Sequence, residues 1–372
     1  MKTSRIGIVA VLSAVMIFGF ASCDISVISS TRDGGTTDTT YQFHSTVTYL
    51  AAGTGGSAGT EATYCIFGDW PQTIKAESVT VDETKSVTMG SMTYYLGSDG
   101  NYYAKCTENA YVSVSPYPPN YNIYSDGTTV AQASANSTKY FMVEPIKWLV
   151  LNPSASGNKI LVAESILTAN VVYYDYYNVN RTIEGKTVYP NNYEHSKIRA
   201  YLNGLSYAVK ASNSAEQTTD STYNGKGFLQ TAFTSSAQSL IADTVVDNSA
   251  ESTTDSGNNL TQATSYACEN TSDKIFLLSE KEATTSAYGF TAYVQIGTGS
   301  RRIRVTTDYA KANYAFQSSA AGYGGWWWLR SPSYDLSILA RNINNDGNAD
   351  YDTSVDDKNG GVVPALSISA GN

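Results

Sequence analysis

An α+β domain carrying polar surface insertions is the fold class that this 372-residue sequence predicts. Three observations carry the prediction. Two apolar runs, Tyr140 to Leu151 and Lys159 to Glu164, flank turn residues Asn152 to Asn158, as paired strands at the centre of a sheet would. Short helical spacings come later in the chain, at Ser196–Gly204, Phe228–Ile241 and Asp308–Ala312. No internal repeat and no convincing linker follows about residue 60, so residues 61–372 read as a single domain.

The N-terminus stands apart from that domain. Lys2 and Arg5 precede an apolar run from Ile6 to Phe20, and Ala21-Ser22-Cys23 follows. A basic start, an apolar middle and small residues at the cleavage point define a signal peptide over residues 1–22. The Ala-Ser-Cys ending resembles a bacterial lipobox, which makes Cys23 the expected lipidated first residue of the mature chain. Acyl chains there would anchor the protein to a membrane without a spanning helix, and the expected location is the cell envelope, at the outer-membrane surface. Residues 23–60 are rich in Ser, Thr and Gly and read as a flexible tether.

Composition narrows the function classes. The formal net charge is −9, and no Lys/Arg block occurs after the signal peptide, which argues against nucleic acid as a partner. Three cysteines remain in the mature chain, Cys65, Cys106 and Cys268. They allow at most one internal disulfide, and none sits in a C-x-x-C pair. With only His44 and His195 as further soft ligands, no zinc site is expected.

The domain's elements follow in order. Sequence with folding character begins near Tyr64, in Y-C-I-F-G-D-W-P-Q-T-I. Ser78–Val81 alternates as a strand, and Met92–Leu96 runs through Ser98-Asp99-Gly100-Asn101 into Tyr102–Ala104 as a hairpin. The Pro-rich stretch Ser115–Thr128 is a loop. Ser196 and Gly204 bracket a short helix containing Ile198, Tyr201 and Leu202. Phe228–Ile241 gives a second helix, with Phe233, Ala237, Leu240 and Ile241 on one face. Val209–Gly227 and Asp243–Asp273 are polar and read as surface insertions. Asp273–Ser279 is a strand, Glu280–Ala287 a helical turn and Asp308–Ala312 a short helix.

The chain closes on G-G-W-W-W-L-R-S-P, a Tyr/Asp/Ser/Asn-rich run, and G-G-V-V-P-A-L-S-I. Neighbouring side chains on a strand alternate between faces, so three adjacent Trp cannot all enter one core. Core packing is the expected role of most of them, with Arg330 paired inside the same frame.

These segments resemble one family when read together: F-G-D-W-P-Q-T (Phe67–Thr73), V-E-P-I-K-W-L-V-L (Val143–Leu151), I-L-V-A-E-S-I-L (Ile160–Leu167), H-S-K-I-R-A-Y-L-N (His195–Asn203), D-K-I-F-L-L-S (Asp273–Ser279), W-W-L-R-S-P (Trp327–Pro332) and G-V-V-P-A-L (Gly361–Leu366). The chain is similar to a bacterial domain of unknown function found in treponeme lipoproteins, with the hallmark pair W-W-L-R-S-P and G-V-R-P-A-L. Val363 stands where that family usually has Arg. The resemblance extends to proteins of the treponemal variable protein A type. It implies a C-type-lectin-like fold of the formylglycine-generating-enzyme variety, with a C-terminal segment diversified by a retroelement.

On that resemblance, residues 333–357 are the display segment of a ligand-binding surface. The expected contacts are Tyr334, Asp335, Ser337, Asn342, Asn344, Asn345, Asn348, Asp350, Tyr351 and Asp352, which share the Tyr/Ser/Asn vocabulary of antibody-like surfaces. Lys, Glu, Gln, Trp and Met, which adenine-directed change of Asn codons cannot produce, are all missing from these 25 residues. They are also missing from Asn109–Ala131, so the pattern supports diversification without singling out the segment. The plainer reading of Asn345-Asp346-Gly347-Asn348 is a hairpin turn.

The expected partner is an unknown protein or glycan bound by a monomer, with no cofactor and no turnover. The spacing of Asn342, Asn344, Asp346, Gly347, Asn348 and Asp350 echoes a calcium loop, but Thr353 replaces the closing Glu, and no metal is expected. His195 with Asp175, Glu194 and Asp308 shows no triad spacing, and no Cys follows Cys268 to serve formylglycine-type chemistry. The alternatives are a structural envelope lipoprotein without a specific ligand and a sulfatase-modifying-factor-like enzyme.

Overall fold

Strand β6 (Thr138–Val150) is the spine of the domain. In the computed structural model, which describes residues 41–51, 62–112, 122–254, 260–290, 300–349 and 351–369, strands are numbered here for the two principal sheets. These are β1 (Thr48–Tyr49), β2 (Tyr64–Ile74), β3 (Val81–Met89), β4 (Met92–Gly97) and β5 (Tyr102–Thr107), then β6 and β7 (Lys159–Ala163). They continue with β8 (Ile275–Phe276), β9 (Trp327–Pro332), β10 (Leu339–Ile343), β11 (Tyr351–Ser354) and β12 (Ala365–Ile368). The described residues all belong to one compact unit spanning 40–372. The signal peptide, Cys23 and the Pro-rich residues 116–119 lie outside the described residues.

The main sheet runs β8-β12-β7-β6-β5-β4-β3, all antiparallel, with β2 also along β6 and β1 on β2. The expected central hairpin is β6–β7, with Trp148 opposite Ala163. Trp148 also faces Cys65 of β2, so this end of β6 is paired on both edges. That placement explains its near-continuous apolar sequence. A second sheet, β9-β10-β11, carries the C-terminal segment. The rest is short two-stranded ribbons and short helices, so the architecture is mixed, with mostly antiparallel pairing.

Helices α1 (Lys197–Asn203), α2 (Phe228–Ala232), α3 (Ser235–Leu240), α4 (Glu280–Thr284) and α5 (Asp308–Ala312) are all short. As expected, the Ser196 hydroxyl caps α1 by accepting from Arg199 N, and Gly204 ends it. The single helix expected over Phe228–Ile241 is instead two. Phe233 is extended (φ −130°, ψ 131°) and packs its ring 5.0 Å from Phe67, while Thr234 starts α3 by capping Ala237 N. Burying that aromatic ring outweighs continuing a marginal helix.

The strand expected over Asp273–Ser279 is also divided. Thr271–Asp273 pairs with Thr244–Val246, whereas β8 joins the main sheet. Asn203 Oδ1 sits at the break, accepting from both Lys274 N (3.1 Å) and Ile275 N (3.0 Å). The strand expected at Ser78–Val81 begins only at Val81. The hairpin through Asp99-Gly100 forms as expected, with Leu96 opposite Tyr102.

Residues 41–51, read from composition as tether, dock on the domain. Asp69, 2% exposed, accepts from Tyr41 Oη (2.5 Å) and His44 N (2.7 Å), and pairs with His44 Nδ1 (2.7 Å). Phe43 stacks on Tyr102 at 5.9 Å, and Thr48 and Tyr49 pair with Ile66 and Cys65. Composition missed this strap because its three aromatics sit among Ser and Thr. Cys65, Cys106 and Cys268 are all unpaired, and burial pushes the Cys65 thiol up to about 12. Among the described residues, no helix is long and apolar enough to cross a membrane.

Candidate binding surface

The C-terminal frame is built from two buried strands. Every residue of β9 is buried, so Trp327 and Trp328 enter packing on opposite faces, as alternation requires. Trp327 Nε1 donates to Arg302 O (3.0 Å), and its ring lies 5.9 Å from the Arg304 guanidinium. Trp328 packs 5.9 Å from Tyr173, whose hydroxyl donates to Arg330 O (2.6 Å). Arg330 pairs with Glu282 of α4 and donates to Leu277 O (3.0 Å), the internal pairing expected of it. Trp326 is only half-buried. The second strand, β12, lies between β8 and β7, and Val363 before it is fully buried.

Between these strands the display segment divides into exposed and structural residues. Asp335 and Tyr351 are exposed, the latter at 45%, and Tyr334, Ser337, Asn344, Asn345 and Asn348 are half-buried. Asp350 lies outside the described residues. Asn342 is corrected: it is 2% exposed, and its amide donates to Thr353 Oγ1 (2.8 Å), holding β10 to β11. Its inward face on a paired strand makes it part of the frame. Asp352 is half-buried, 3.2 Å from Arg341 Nη1, and accepts from the Ser333 hydroxyl at 3.2 Å. Burial holds its carboxyl above the usual range despite Arg341.

The loop geometry follows from a few fixed points. Gly347, at φ 86°, donates to Asn344 O (2.9 Å), and Asp346 Oδ1 accepts from Asn348 N (3.0 Å), which is the hairpin-turn arrangement. Arg302 Nε donates to Gly347 O (2.6 Å) and holds the turn from outside. At the other end, Asn191 Nδ2 donates to Leu336 O and Leu339 O, both at 3.1 Å. Tyr266, from the second polar insertion, donates to Asp335 O (3.3 Å) and stands edge-on to Tyr189 at 5.3 Å. The insertion therefore adjoins the display loop. Leu336, 46% exposed at its tip, is a surface residue that a polar-residue criterion passes over.

The acids considered with His195 are not brought together. His195 Nε2 is 3.5 Å from Glu194 Oε1, but Asp175 binds Lys197 (2.5 Å) and Tyr207 (2.7 Å), and Asp308 caps Ile74 N and Ser125 N. His195 lines a cleft of about 270 Å³ with Glu194, Arg199, Leu205, Tyr207 and Thr219. Burial lowers its pKa, so the ring there is neutral at pH 7. The arrangement offers a polar niche with one half-exposed imidazole and the hydroxyls of Ser196 and Ser206 in its lining; among the described residues, no hydroxyl is hydrogen-bonded to the ring.

No curated protein and no solved structure matches the chain. A domain of unknown function, DUF6273, matches residues 156–370, which takes in α1 to α5, the display segment and both strands of its frame. The chain belongs to this DUF6273 family.

Proposed function

We propose that the protein is a surface lipoprotein that binds a protein or glycan ligand through the exposed part of residues 333–357, without chemical turnover. The reading includes lipidation at Cys23, a C-type-lectin-like fold and diversification of the display segment by a retroelement. One observation carries it: a loop presenting Tyr334, Asp335, Leu336 and Ser337, with Tyr351 beyond it, is pinned by backbone and amide bonds to a buried frame. A fixed backbone with exchangeable Tyr and small polar side chains is what a rigid binding surface requires.

The test is simultaneous replacement of Tyr334, Asp335, Leu336, Ser337 and Tyr351 by Ala, leaving Arg341 and Asn342 in place. Unfolding temperature and capture on arrays of defined glycans and purified extracellular proteins are then compared with the parent. Retained folding with lost capture supports binding. A variant that unfolds, or one that captures the same ligands as the parent, overturns the assignment to this surface.

A further inference from the structure

Four half-buried aromatic residues gather beyond the display segment, around Asn359-Gly360. Tyr111 stands edge-on to Tyr314 at 5.6 Å and to Phe316 at 5.8 Å. Phe316 N donates to Asn359 O (3.0 Å), which ties this group to the dipeptide. On the other side Trp326 stands edge-on to Trp328 at 4.9 Å. A Cβ at Gly360 would meet both indoles at 2.5 Å, so the absent side chain lets them close over the backbone.

Two further observations separate this cluster from ordinary packing. Asn359 is 8% exposed, and its Oδ1 has no hydrogen-bond partner. Buried amide oxygens are nearly always paired, so an orphan beside half-exposed rings marks an acceptor held for something else. Tyr314 adopts φ 74°, a region bulky residues rarely occupy, and strain of this kind collects where geometry is constrained by function.

We propose that Tyr111, Phe316 and Trp326 form a platform for the apolar face of a neutral sugar, with Asn359 Oδ1 accepting from one of its hydroxyl groups. Half-buried rings offer apolar area with few rotamers left to freeze, and one unpaired acceptor supplies orientation. Asn359 Oδ1 is shielded from solvent, so a sugar hydroxyl reaches it only once a neighbouring side chain shifts, and stacking on Trp326 changes the indole environment. Asp357, whose Oδ1 accepts from Asn359 N (3.1 Å), disfavours an anionic sugar. The platform lies outside residues 333–357, so it adds a second surface to the display loop proposed above and does not name that loop's ligand.

The experiment titrates the purified protein with maltotriose, cellotriose and chitotriose, with sialyllactose as the anionic control, by calorimetry and tryptophan fluorescence. At least one neutral trisaccharide is expected to bind saturably with a fluorescence change, and Trp326→Ala and Tyr111→Leu are each expected to weaken it at least tenfold. Should Trp326→Ala fail to fold, Tyr111→Leu carries the comparison. Binding of none of the neutral sugars, or binding that neither variant weakens, overturns the platform. If capture on the arrays is lost only when Tyr334, Leu336 and Tyr351 are replaced, the platform fails while the display surface stands.

Discussion

Arg341, in the middle of the display segment, reaches Glu280 in the first turn of α4, and both side chains are buried. Arg341 Nε donates to Glu280 Oε1 (2.8 Å), and a further guanidinium nitrogen donates to Ala349 O (3.2 Å). Glu280 N in turn donates to Ser331 Oγ of β9 (2.9 Å). One ion pair therefore joins the hairpin, the helix and the Trp-bearing strand.

Removing either partner takes the nearest counter-charge from a buried group, although Arg341 still has Asp352 at 3.2 Å from its Nη1. Arg341→Ala and Glu280→Ala are each expected to destabilise the domain by about 3–5 kcal/mol, measured by denaturant unfolding. Replacing both with apolar residues of similar size should recover much of that loss. Single-mutant costs near those of an exposed pair, about 1 kcal/mol or less, would show that water reaches the site.

The pair also marks a limit of sequence reading. Central strands, the Ser196 cap and α5 were legible because each is encoded locally, by apolar runs or capping residues a few positions apart. The division of the display segment was not. Asn342 and Asn344 are the same residue type two positions apart, and only long-range pairing buries the first. Leu336 shows the converse: aliphatic character predicts burial, and the bonds from Asn191 hold it outward at a loop tip. Tyr111, Phe316 and Trp326 are more than 200 positions apart at the extremes, so their meeting was beyond any local pattern.

Gly347 should be intolerant of a side chain. Its φ of 86° is costly for an L residue, and a Cβ would stand 2.6 Å from Ser300 Oγ. Gly127 shares the backbone conformation, at φ 85°, with nothing within 4 Å. Gly127→Ala is therefore expected to cost about 1–2 kcal/mol from conformation alone. Gly347→Ala should cost measurably more in the same unfolding assay. Equal costs would mean that Ser300 moves away freely.

The docked strap gives a proteolytic prediction. Asp69 anchors Tyr41 and His44 through three contacts, beside backbone bonds from Tyr41 N to Gly100 O and from Gly68 N to His44 O, and hydrogen bonds to a charged group contribute about 1.5–3 kcal/mol each. In Asp69→Ala, residues 41–51 should open locally while the main sheet persists. Chymotrypsin is expected to cleave at Tyr41, Phe43 or Tyr49 at least tenfold faster than in the parent, with the remaining domain intact by mass spectrometry. Unchanged cleavage would place the anchoring in the β1–β2 pairing instead.

Asp357 links stability to pH at the edge of the proposed sugar platform. Burial holds its carboxyl above the ordinary value of 3.8, with the neighbouring Asp356 acting in the same direction and the bond from Asn359 N opposing. A raised folded-state pKa means that the folded protein binds more protons than the unfolded chain between those two values. The contribution to stability is therefore fully present below pH 3.8 and is lost as pH rises through the folded-state value. Asp357→Asn keeps an oxygen to accept from Asn359 N and removes the charge. It should match the parent in melting temperature near pH 3.5 and exceed it at pH 7. A variant no better at pH 7 than at pH 3.5, relative to the parent, would show that water or a shift of Lys358 solvates the carboxylate at no cost.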